Sequence, residues 1–150
     1  MTVKSIVTLE NEDKTQVTIH HSLLGESRVA SMALRSYADL IDSGMNLGHN
    51  IGIGNTTTIV WAEIDGFPIG GMCYAIRPEI STCWIIFSFV RPDWRGKGVN
   101  LQCRLILENL MRSQDVKYMA SYVSTKNERM IQIALDAGFQ PSFYRMHKKL

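Results

Sequence analysis

The stretch that decides the fold is TCWIIFSFVRPDWRGKGVN, residues 82–100. Its first nine residues, Thr82–Val90, form a nearly continuous apolar run of strand length. A strand with one wet face would alternate, so this run predicts a central strand covered on both faces. Arg91-Pro92-Asp93-Trp94 breaks the run, and Gly96 and Gly98 mark a turn over Arg91–Gly98. From Val99 the period changes. Val99, Cys103, Ile106, Leu107 and Leu110 fall on one face of a helix that reaches about Met111.

A helix that starts straight out of a tight turn has chemical consequences. The first backbone N–H groups have no partner within the helix and lie at the positive end of its dipole. Glycines at 96 and 98 let a ligand approach the backbone closely, and Arg95 and Lys97 add positive charge. These features together suit a diphosphate. The spacing is neither that of a Walker A loop nor that of a GxGxxG dinucleotide fingerprint. A glycine turn with two solvated cations is the plain alternative for Gly96-Lys97-Gly98 taken alone.

Outward from this segment, the rest of the chain reads as strands and helices in a definite order. Val3–Leu9 and Thr15–His20 read as a hairpin around the turn Asn11–Lys14. Ser27 is placed as the N-cap of a helix to about Asp42, with Gly44 as its stop. Gly44–Asn55 reads as a loop. Thr56–Glu63 and Pro68–Ile76 read as strands joined by Asp65-Gly66, a hairpin signal. After the central helix, Lys117–Val123 is a strand, Asn127–Ala137 a helix with Gly138 at its C′ position, and Phe143–Lys149 a last strand. The strand–helix–strand unit over 82–123 requires parallel strands with a right-handed crossover, whereas the earlier strands should pair as antiparallel hairpins. The expectation is one α/β domain over residues 1–150, a mixed sheet with helices on its faces.

Composition bounds the class. Apolar residues are 45% and charged residues 20%, as in an ordinary globular domain of 150 residues. No apolar run approaches the ~20 residues that span a bilayer, and the N-terminus lacks a leader pattern, so the cytoplasm is expected and a membrane is not. Cys73, Cys83 and Cys103 match neither a disulfide framework nor a metal-site spacing, so free thiols and no metal are expected. The charge is uneven. Residues 1–75 hold four Lys/Arg against eight Asp/Glu, and residues 76–150 hold twelve against six. The basic half suits a phosphate-rich ligand, and nucleic acid is the competing partner. Its cations are dispersed and no nucleic-acid-binding motif occurs, so nucleic acid is not expected.

Two blocks of residues carry a family resemblance. Val90-Arg91-Pro92 followed by Arg95-Gly96-Lys97-Gly98-Val99 resembles the acetyl-CoA motif of the GNAT N-acetyltransferases, a strand ending in Val-x-Pro and then a basic, glycine-containing turn that opens a helix. Asn100 departs from the usual Gly or Ala and would narrow the cradle. Asn127 through Gly138-Phe139 resembles the family's next helix. The likeness covers residues 56–150 and is weak over 1–55. It implies the GNAT fold, with acetyl-CoA as cosubstrate and an amine as acceptor. By the resemblance, Phe89 and Val90 would offer backbone groups to the pantetheine arm, and Arg95, Gly96, Lys97, Gly98, Val99 and Asn100 would hold the diphosphate. Asn127 would bond the cosubstrate or, as the plain alternative, only cap its helix.

The catalytic residues are less legible. The family's acid is a tyrosine four residues before the Gly-Phe glycine, where this chain has Ala134. The strand Thr82–Val90 lacks the family's base carboxylate. Tyr144, on a last strand that can run beside the splayed pair, is the favoured spare phenol and Tyr122 the second, with Ser124 and Cys83 behind them, and each has an ordinary packing role as its alternative. His20, His21 and Glu79 are weaker candidate bases. Three functions follow: an N-acetyltransferase working by direct attack in a ternary complex, a CoA-binding module of the same fold without catalysis, and a nucleic-acid binder. The net −4 of the N-terminal half, with Glu26, Asp39, Asp42, Glu63 and Asp65, would favour a cationic acceptor. The acceptor's identity and the oligomeric state, a homodimer included, are open.

Overall fold

The computed structural model describes residues 3–43 and 52–142 and positions 146, 148 and 150. The strands are β1 (Val3–Thr8), β2 (Gln16–Leu23), β3 (Thr58–Ile64), β4 (Phe67–Arg77), β5 (Thr82–Val90) and β6 (Tyr118–Ser121). The helices are α1 (Ala30–Asp42), α2 (Val99–Ser113) and α3 (Glu128–Asp136). The six strands form one sheet in sequence order. β1 to β5 are antiparallel, and β6 joins β5 in parallel after the α2 crossover. The mixed α/β sheet with helices on both faces is therefore present as expected.

The two faces have separate cores. Under α2 lie Val17, Ile19, Val60, Met72, Cys83 and Ile85 with Val99, Cys103, Leu107 and Met111 of the helix. Under α1 lie Ile59, Trp61, Cys73, Phe87 and Phe89 with Ala33 and Tyr37. Each fully buried large side chain contributes about 1.5–3 kcal/mol by leaving water. β5 supplies both cores through an irregularity. Cys73 pairs with Phe87 but Tyr74 pairs with Ile85, which leaves Ile86 as an extra residue. The bulge reverses the parity of the strand. Cys83 and Ile85 face α2, whereas Phe87 and Phe89, also odd-numbered, face α1.

Local chemistry explains the turns. Asp65 and Gly66 have φ of 49° and 83°, the left-handed pair that a two-residue hairpin demands. α3 ends in a Schellman arrangement. Phe139 N–H donates to the Ala134 carbonyl and Gly138 N–H to that of Leu135, with Gly138 at φ 89°. Ser27 does not cap α1. It closes the short turn Leu24–Glu26, its hydroxyl donating to the Leu24 carbonyl at 2.7 Å, and α1 starts later, after Val29. β6 stops at Ser121, short of the expected Val123. Gly44, most of the Gly44–Asn55 loop and most of the expected last strand lie outside the described residues.

Candidate active site

β6 is shorter than β5, and this difference creates the cleft. β6 pairs with β5 only from Thr82↔Tyr118 to Ile85↔Ser121. Residues 86–90 of β5 continue without β6 beside them, an edge spanning about 13 Å at ~3.3 Å per residue. The Arg91 N–H donates to the Ile69 carbonyl at 2.8 Å, which fixes the phase of the β4–β5 ladder. In that phase Phe87 and Phe89 spend their backbone groups on β4, and those of Ser88 and Val90 point to the open edge. Phe89 is therefore out of phase for the backbone role expected of it, and Ser88 stands in the position that role requires.

The mouth of the cleft is the turn before α2. Gly96 and Gly98 have φ of 74° and 88°, a region that side chains with a Cβ enter at a cost. A Cβ at either glycine would meet no protein atom within 4 Å, so the space above the turn is open to a ligand. Gly98 occupies the N-cap position and has no side chain to cap the helix, which leaves the first amides of α2 without a side-chain partner there. The Arg95 guanidinium reaches back to the Val90 carbonyl at 3.1 Å, and the Lys97 ammonium lies 4.8 Å from the Trp94 ring centre. Asn100 is the second residue of α2. Its Oδ1 is buried, with no hydrogen-bond partner among the described residues.

At the inner end of the cleft the rings of Trp84 and Tyr122 stack, with centroids 4.9 Å apart. Trp84 alternates with Cys83 and Ile85, so it lies on the α1 face of the sheet. Arg77, Glu79 and Ile80 complete a pocket of about 230 Å³ with these two rings.

The other expected residues scatter. Asn127 caps α3, its Oδ1 accepting from the Met130 N–H at 3.2 Å. Ser124 lies in the β6–α3 turn and accepts from the Lys126 N–H. Cys83 is buried in the α2-side core, and burial pushes its thiol up to about 12. His21 bonds the Tyr74 hydroxyl at 2.6 Å, and burial chiefly lowers its pKa. Tyr144 lies outside the described residues.

His20 and Glu63 form a pair that sequence reading missed. His20 Nε2 lies 2.7 Å from Glu63 Oε1, and Arg28 donates to Oε2 through Nε at 3.2 Å and through Nη2. The His20 ring stacks on Trp61 with centroids 4.2 Å apart. Burial pushes the Glu63 carboxyl up, but the bonds from Arg28 and His20 outweigh it and hold the pKa below its usual value. Glu63 is therefore a satisfied buried carboxylate and adds nothing to an open acidic field.

Comparison with known proteins agrees with this geometry. The model of the acetyltransferase (GNAT) family matches residues 29–139, and the chain belongs to that family. Similar solved structures include an aminoglycoside acetyltransferase from an uncultured soil metagenomic sample in complex with sisomicin. It has 9% identity and a TM-score of 0.69, over 89% of this chain and 96% of that one. An aminoglycoside N-acetyltransferase in complex with CoA has 18% identity and a TM-score of 0.65, over 88% and 98%. The ribosomal-protein-alanine N-acetyltransferase of Brucella melitensis biovar Abortus 2308 has 15% identity and a TM-score of 0.65, over 89% and 99%. No curated protein matches. Among the described residues no helix is long and apolar enough to cross a membrane.

Proposed function

We propose that the chain transfers acetyl from acetyl-CoA to a primary amine by direct attack in a ternary complex. The observation that carries this reading is the open β5 edge, residues 86–90, running into the uncapped start of α2. Ser88 and Val90 can pair with the amides of a pantetheine arm as an added strand would. The Arg95–Asn100 turn can hold the diphosphate with amides and cations, and Asn127 has its amide nitrogen left for the same ligand. Bound there, acetyl-CoA supplies an activated acetyl thioester.

The chain's own residues then have three tasks. Phe87 and Phe89 give the edge a buried apolar backing that keeps water from the reacting centre. The open edge aligns the two substrates, which alone removes much of the barrier. The C–N bond forms as the C–S bond breaks, the amine gives its proton to water, and the sulfur takes one from a donor. Tyr122, at the inner end of the edge, is the donor favoured by position.

The second reading, a CoA-binding module without catalysis, is favoured by one observation. Ala134 stands where the family's acid would be, and no carboxylate occurs on β5. Release of free CoA thiol from acetyl-CoA across a broad amine panel separates the two. Amine-dependent release supports the enzyme. Tight acetyl-CoA binding with no release for any amine supports the module.

A further inference from the structure

Trp84, Tyr122, Arg77, Glu79 and Ile80 line a solvent-open pocket of about 230 Å³ at the inner end of the open edge. Trp84 is one residue before Ile85, the last residue of β5 that β6 pairs, and Tyr122 is one residue after its partner Ser121. The stacked rings thus close the point where the two strands part. The pocket lies on the α1 face, across the sheet from α2, so a molecule seated there reaches the edge from the side opposite the helix that opens the cleft.

The lining is specific in kind. The stacked rings and Ile80 make an apolar wall. Arg77 and Glu79 bring one charge of each sign, and neither has an ion pair or side-chain hydrogen bond among the described residues. A polycation would be repelled by Arg77, and a neutral amine would leave both charges idle. A small zwitterion on an apolar body uses the whole set. Its ammonium meets Glu79, its acid group meets the Arg77 guanidinium, and its side chain lies on the indole face.

We infer that this pocket admits an acceptor of the α-amino-acid type, a primary amine beside an acid group on an apolar or aromatic body, and that Arg77 and Glu79 set this specificity. The inference rests on the transferase reading above and names its substrate class. Of the N-terminal acids that would favour a cation, Glu63 is buried and paired with His20 and Arg28.

The test is a steady-state panel at saturating acetyl-CoA: apolar and aromatic L-amino acids, their carboxamides, spermidine and an aminoglycoside. The expected result is a kcat/KM for the acids at least roughly tenfold above that for the amides, the value of one charge-assisted contact. Arg77→Gln should erase that ratio by raising KM for the acids alone, and Glu79→Gln should raise KM for acids and amides together. Trp84→Leu should raise KM for the aromatic members most, with Trp84→Phe restoring much of it. All four variants should bind acetyl-CoA with wild-type affinity in calorimetry, which reports that they are folded. Preference for amides or polycations, an acid-to-amide ratio unmoved by Arg77→Gln, or no turnover of any member by a wild type that binds acetyl-CoA would each overturn the inference. A wild type that binds no acetyl-CoA would instead overturn the transferase reading beneath it.

Discussion

Trp84 and Tyr122, thirty-eight positions apart in sequence, stack with ring centroids 4.9 Å apart and planes 18° from parallel. The contact holds together two strands that separate immediately beyond it.

Tyr122→Phe keeps the ring and the stack and removes only the hydroxyl. Single-turnover acetyl transfer should slow by about 10²-fold, the low end for a lost general acid, with acetyl-CoA affinity unchanged. Tyr144→Phe is the comparison. A wild-type rate in Tyr122→Phe beside a slow Tyr144→Phe would move the donor's role to Tyr144.

Gly70 sits opposite Val90, and a Cβ there would come 2.7 Å from the Phe89 carbonyl oxygen. Backbone cannot swing aside as a flexible side chain does. Gly70→Ala should therefore cost about 1–3 kcal/mol in urea unfolding and weaken acetyl-CoA binding, because the clash falls on the strand that forms the edge. Unchanged stability would show that β4 and β5 approach less closely than described.

The buried Glu63 and the half-buried His21 make stability depend on pH, both in the acid direction. His21 has a lowered pKa in the folded chain, so its contribution is full above the ordinary value of 6.5 and fades as pH falls below it. Glu63 also has a lowered pKa, so its contribution is full above 4.5 and is lost as pH falls through the folded value. Urea midpoints should decline in two stages on acidification. His21→Gln should flatten the first stage and Glu63→Gln the second. A midpoint that rises on acidification would contradict both assignments.

Cys73, Cys83 and Cys103 are buried and free, and burial pushes each thiol up to about 12. The thiolate is the reactive form. The native protein should resist a thiol reagent at neutral pH and react at all three cysteines in denaturant. An intact mass two hydrogens light would reveal a disulfide that this arrangement does not contain.

The contrast between β5 and the N-terminal half shows what sequence can carry. Thr82–Val90, the Gly96–Gly98 turn and Gly138 were legible because apolar periodicity and positive-φ glycines are local properties. The bulge at Ile86 was not, because it depends on how β4 pairs. Without it, Phe89 rather than Ser88 looks like the residue at the open edge. Glu63 read as a surface acid because its partners, His20 and Arg28, are 43 and 35 positions away. The Arg77–Glu79–Trp84–Tyr122 pocket carries no motif at all. Ser27 was a good cap by type, yet the turn at Leu24–Glu26 claimed its hydroxyl first.

The central claim is that the start of α2 holds the diphosphate of acetyl-CoA, and calorimetry on Gly98→Glu tests it most directly. Glutamate there adds bulk to the open space above the turn, strains a backbone at φ 88°, and brings a negative charge to a diphosphate site. Gly98→Ala, strained in the same way but uncharged, separates the backbone effect from the charge. The expected result is measurable acetyl-CoA binding by the wild type, weaker binding by Gly98→Ala and none by Gly98→Glu, with all three proteins folded by circular dichroism. Wild-type affinity in a folded Gly98→Glu would contradict the assignment of this turn.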